Sequence, residues 1–152
     1  MDATWIVSAN AGRARIFAQA GAAAGLEEVQ DLVNTSARQR DNEIDTDSLG
    51  QRAASDSRHG AGGATTSSDY QPHQTPVQHA TEVFARDLVK VLLHAHNERR
   101  FTKLCLVASP EFLGVLRRVL TPQLEALVSR EINKDYTQLG PAELRERIRT
   151  LH

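Results

Sequence analysis

The chain has 152 residues, 40% of them hydrophobic, and a formal net charge of −1, so it holds one domain's core and bulk charge argues for no nucleic-acid or acidic partner. Its single cysteine, Cys105, excludes a disulfide framework within the chain. No apolar run approaches the ~20 residues of a membrane span and no basic-then-apolar leader opens the sequence, so a soluble cytoplasmic protein without a membrane partner is expected.

Thr4 to Ala9 is apolar and rich in strand formers, and Asn10-Ala11-Gly12 is turn chemistry. Arg13, Arg15 and Phe17 then alternate with Ala14, Ile16 and Ala18, so residues 3–19 are predicted as a β-hairpin. Gly21 to Gly25 is a small-residue turn. Leu26 to Val33 fits either period: Leu26, Val29 and Val33 have helical spacing, while Val29, Asp31 and Val33 share a strand face. Its shortness and its place after a turn favour a third meandering strand. Residues 34–74 are dense in Asp, Ser, Gln, Gly and Arg and cannot bury enough surface to offset ordering entropy, so a long mobile loop is expected there.

Thr75 and Gln78 have capping-box spacing around Pro76. Val77, Ala80, Phe84, Leu88, Val91 and Ala95 make the apolar stripe of the longest helix, ending near Asn97. Leu104 to Ala108 is an unbroken apolar run, the mark of a strand buried on both faces. Ser109-Pro110-Glu111 then reads as a helix start, with a capping hydroxyl, a first-turn proline and a carboxylate at the positive dipole end. Leu113, Leu116 and Leu120 form one face of that helix. Thr121-Pro122 restarts or kinks a helix to about Leu127, and Val128, Arg130 and Ile132 alternate as a last strand. Gly140-Pro141 starts a terminal helix with Leu144, Ile148 and Leu151 inward and Arg145, Arg147 and Arg149 outward or sideways. The order β-β-β, loop, α, β, α, β, α predicts one three-layer α/β domain over 1–152, on a mixed five-stranded sheet.

The segments WIVSANAGRARIF (5–17), VFARDLVKVL (83–92), LCLVASPEFLGVLRRVL (104–120) and VSREINKDYTQLGPAELRERI (128–148) resemble the bacterial host-attachment protein family. The most specific pieces are the run from Ser109 to Arg117 and Glu131-Ile132-Asn133-Lys134-Asp135, while Asp47-Ser48-Leu49-Gly50-Gln51-Arg52 is a degenerate form of a motif that relatives carry before the long helix. The resemblance implies a role in attachment of bacteria to host cells. It also implies a ribonuclease H-like fold, similar to the middle domain of archaeal and eukaryotic class I release factors. In those, a Gly-Gly-Gln loop before the long helix enters the ribosomal peptidyl-transferase centre. The corresponding region here holds Gly62-Gly63-Ala64, without the glutamine. The expectation is therefore a non-enzymatic interaction protein, without cofactor, that serves attachment indirectly through the ribosome, tRNA or another RNA–protein partner. The alternative is a ribosome-directed peptidyl-tRNA hydrolase or rescue protein with Gly62 and Gly63 at its working loop.

Ser109 and Glu111 stand where the carboxyl end of a buried strand meets a helix start, a place that binds anions or phosphates or simply caps the helix. Arg13, Arg15, Arg117 and Arg118, with Arg99 and Arg100, form an RNA-binding face if they converge and solvated surface charge if they do not. Gly114 inside a helix costs about 1 kcal/mol relative to alanine, which close contact with the sheet or a neighbouring helix would explain. Asp41, Glu43, Asp45 and Asp47 alternate like the start of a calcium loop but lack its glycine and closing glutamate, and His94 and His96 do not share a helix face. No metal site and no catalytic triad is predicted, and Cys105 reads as a small core residue.

Overall fold

The computed structural model describes residues 2–36 and 74–151. β1 (Thr4–Asn10), β2 (Arg13–Gln19) and β3 (Leu26–Val33) form an antiparallel meander. The side chain of Asn10 builds its first turn, its Oδ1 accepting from the amides of Gly12 at 2.8 Å and Arg13 at 2.9 Å. α1 (Pro76–Asn97), β4 (Lys103–Ala108), α2 (Pro110–Val119), α3 (Pro122–Glu125), β5 (Val128–Ile132) and α4 (Pro141–Thr150) follow. The strand order is β3-β2-β1-β4-β5, with β1–β4 and β4–β5 parallel. This is the expected α/β class on a mixed five-stranded sheet, and Leu26 to Val33 is the third strand of the meander.

Three of these helices start alike. Thr75, Ser109 and Thr121 each accept from the amide three residues on, and each is followed by proline. At α1 the expected capping box is complete, the Thr75 amide donating back to Gln78 Oε1 at 2.9 Å. α3 is one turn long and stops at Glu125, short of the expected Leu127. Leu127 instead enters the sheet, its carbonyl accepting from the amide of Leu104 at 2.9 Å just before β5 begins.

Strand alternation sends side chains to two covered faces. Under α1, α2 and α3 lie Trp5, Val7, Ile16, Leu104 and Leu106, and the rings of Trp5 and Phe101 stack with centroids 5.0 Å apart. Ile6, Phe17, Cys105, Val107 and Ile132 lie on the other face with Leu144 of α4. The arrangement is helices, sheet, helix, the three layers expected.

Gly114 departs from expectation. A Cβ built there meets nothing within 4 Å, so close packing does not explain the glycine. Of the expected loop, residues 37–73 lie outside the described residues, and with them Asp41 to Asp47, Gly62 and Gly63. Asn34, the first residue of the expected loop, is buried, and its Nδ2 donates to the Ala11 carbonyl at 2.9 Å. Among the described residues no helix is long and apolar enough to cross a membrane.

Candidate functional site

Parallel pairing brings the carboxyl ends of β1 and β4 side by side, the Ser109 amide donating to the Ala9 carbonyl at 3.2 Å. From there β1 turns back into β2 while β4 runs on into α2, so their connections leave in opposite directions along the sheet. Open α/β sheets keep a crevice at such a point. Here a cleft of about 600 Å³ lies beside it, lined by Ala11, Ser109, Glu111 and Arg118 and, from α1 and its approach, Gln74, Gln78 and Thr81. Both α1 and α2 present their first turns to it, and the free amides there favour negative charge.

The charges in the cleft are mixed. Ser109 is the cap of α2, accepting from the Phe112 amide at 3.4 Å. Its hydroxyl hydrogen still has a direction to choose. Glu111 adds a carboxylate that repels anions, and Arg118 a guanidinium that attracts them. Glu82 bonds Gln74, and that bond, with Arg86 and Arg118 nearby, holds its carboxyl below the usual range. The wall therefore sets one guanidinium and one carboxylate among serine, threonine and glutamine hydrogen-bonding groups.

Next to it the Asn10 turn is tied to the segment after β5. Asn10 Nδ2 donates to Asp135 Oδ2 at 2.9 Å and to Thr137 Oγ1 at 3.2 Å, and the Thr137 hydroxyl donates to Asp135 Oδ1 at 2.7 Å. Burial pushes the Asp135 carboxyl up, but the bonds from Asn10 and from the hydroxyl and amide of Thr137 outweigh it, so its pKa is lowered. No spacing signal marks these three, because Asn10 and Asp135 are 125 positions apart.

Arg13, Arg15, Arg117 and Arg118, which would make a basic face only by converging, stand on different elements. Arg13 makes a forked pair with Asp31, Nε–Oδ1 3.0 Å and Nη2–Oδ2 2.6 Å. Arg15 forks onto Glu28 and gives Nη1 to the carbonyls of Thr137 at 3.0 Å and Leu139 at 2.7 Å. Both stand on β2, beneath the segment that leads to α4. Arg117 pairs with Glu131 of β5, across the sheet from them. Arg118 alone of the four lines the cleft. Arg100 lies over the Trp5 ring, 4.9 Å from its centroid.

Burial pushes the Cys105 thiol up to about 11, against the opposing charge of Arg130, so it stays protonated and unreactive at neutral pH. His94 faces Glu98 at 3.5 Å, whereas His96 leaves Nδ1 buried without a partner beside the Phe101 ring. Among the described residues no group of three or more His, Cys, Asp or Glu side chains is placed to hold a metal ion.

Comparison with known proteins bears on the whole span. A family model described as "Protein required for attachment to host cells" matches residues 5–148. An uncharacterized protein of Rickettsia prowazekii (strain Madrid E) is 31% identical over 77 residues, 49% of this chain and 51% of the relative. The match spans about half the length of that curated relative.

Proposed function

The chain belongs to the family of proteins required for attachment to host cells, and from that premise we propose that it is a non-enzymatic interaction protein serving attachment indirectly. In this reading it acts in the cytoplasm by docking on an RNA–protein particle, the ribosome with its tRNA being the first candidate. The observation that carries the reading is the cleft at the carboxyl ends of β1 and β4, where the first turns of α1 and α2 meet Arg118. Helix N-termini and an arginine favour phosphate, and glutamine, threonine and serine side chains offer the hydrogen bonds that bases and riboses use. The same reading takes the fold as ribonuclease H-like and akin to the middle domain of class I release factors. The antiparallel meander followed by a long helix and parallel strands supports it.

Co-sedimentation of tagged protein with ribosomes from its own cells, at low and high salt, tests the proposal. Phosphate contacts predict migration with ribosomes or subunits that weakens as salt rises. Arg118→Glu is expected to weaken it at every salt concentration without loss of fold, because Arg118 is exposed. Free protein at the top of the gradient in both salts overturns the proposal. Peptide release from stalled ribosomes, lost in Gly63→Ala, would favour the peptidyl-tRNA hydrolase instead.

A further inference from the structure

At the opposite end of the sheet, on the face covered by α4, lies a second cavity of about 380 Å³. Its size falls within the roughly 300–1,000 Å³ of small-molecule sites. Ile6, Leu26 and Ile148 give it apolar walls, and Arg130, Arg145 and Arg149 line it, with no carboxylate among the lining residues.

Part of this arginine cluster is structural. Arg130 Nη1 donates to the Ile148 carbonyl at 2.8 Å, near the end of α4. Arg145 holds the β2–β3 turn, Nε to the Ala24 carbonyl and Nη2 to that of Ala23, both at 3.0 Å. A guanidinium carries five N–H donors, so these bonds use one donor of Arg130 and two of Arg145. Arg149 has a weak partner, Glu146 at 3.4 Å on the exposed side. The backbone bonds therefore orient two planar forks and leave donors on both. Three like charges around one apolar cavity repel one another, and a single anion there relieves all three.

We infer that this cavity is a binding site for a small amphiphilic anion, an aliphatic carboxylate whose chain lies on Ile6, Leu26 and Ile148 and whose head is gripped by Arg130, Arg145 and Arg149. The apolar walls select the chain, and the planar forks match a carboxylate in two-bond geometry. The site shares no lining residue with the cleft between α1 and α2, so it stands apart from the proposal above.

The test uses decanoate below its micellar concentration, with decanol and acetate as single-feature probes. Decanoate is expected to raise the melting temperature saturably, as a ligand of the folded state must, and to shift the methyl resonances of Ile6, Leu26 and Ile148. Decanol and acetate at equal concentration are expected to do neither. Arg149→Glu is expected to weaken decanoate binding about tenfold or more, the worth of one charge-assisted hydrogen bond, while the unliganded melting temperature holds. Ile148→Asp provides a second variant, placing a carboxylate in the wall, and is expected to abolish the shift. Equal response to decanol, methyl shifts elsewhere in the molecule, a falling melting temperature, or unchanged affinity in Arg149→Glu would each overturn the assignment.

Discussion

Among the described residues, nineteen buried apolar side chains form the core under α1, α2 and α3, and six form the core on the opposite face of the sheet, under α4. The first face is held by area, with Trp5 stacked on Phe101 and Phe84 tilted against Phe112 at 5.9 Å. The second is held largely by direction. Arg15 grips the carbonyls of Thr137 and Leu139, Arg130 that of Ile148, and Arg145 those of Ala23 and Ala24. Apolar burial is proportional to area and tolerant of angle, whereas these bonds are few and fail singly. A small helix with one fully buried leucine, Leu144, can thus be fixed by arginines that reach backbone groups instead of by a core of its own.

The largest break in this contrast should come from the first face. Leu88 is fully buried on α1, and Leu88→Ala is expected to cost about 2–5 kcal/mol, read from the urea midpoint. A loss below 1 kcal/mol would show that the α1 face is not where stability resides. On the second face, Arg15→Met strands two carbonyls and the Glu28 carboxylate, and is expected to cost about 1–3 kcal/mol. Hydrogen exchange sharpens the point: amides of residues 142–150 should lose protection in that variant while those of α1 keep theirs. If all amides lose it equally, α4 does not come away independently.

Gly114→Ala works in the other direction. Its Cβ enters open space on α2, so the substitution is expected to stabilise by up to about 1 kcal/mol. A destabilised Gly114→Ala would reveal a contact that the described residues do not make. The smallest effect is expected at Asp135, whose side chain is exposed. Its folded pKa is lowered, so its contribution is present above the ordinary value of 3.8 and lost as pH falls through the folded one. Urea midpoints measured from pH 6 down to pH 2 should therefore fall less steeply in Asp135→Asn than in the parent.

The elements of both faces were legible along the chain. The apolar run Leu104 to Ala108, the Thr75, Ser109 and Thr121 caps and the alternation after Gly12 each have a local cause, and local causes are written in neighbouring residues. The Ser109 turn and its place at a strand end were legible for the same reason. The cleft was not, because Gln74, Gln78 and Arg118 meet Ser109 only once α1 and α2 pack. Nor were the arginine partners. Arg13, Arg15 and Arg117 find Asp31, Glu28 and Glu131 at separations of 18, 13 and 14 positions, across registers that no spacing rule supplies. Arg145 and Arg149, read as outward or sideways, line a cavity for a similar reason: the wall opposite them comes from β1, β2 and β3.

The pairing of β1 with β4 also fixes an order of events in time. Thr102 bonds the Ala3 carbonyl 99 positions upstream, so the middle strand of the sheet waits for a distant neighbour. Closing a loop of that length costs about 4 kcal/mol of chain entropy, whereas the β1–β2–β3 meander closes through short turns. On a ribosome adding roughly 5–20 residues per second, β1 carries one unpaired edge for about 5–20 s before β4 is made. For that interval the nascent chain displays the unpaired N–H and C=O groups along one edge of its own central strand, a template on which another chain can pair.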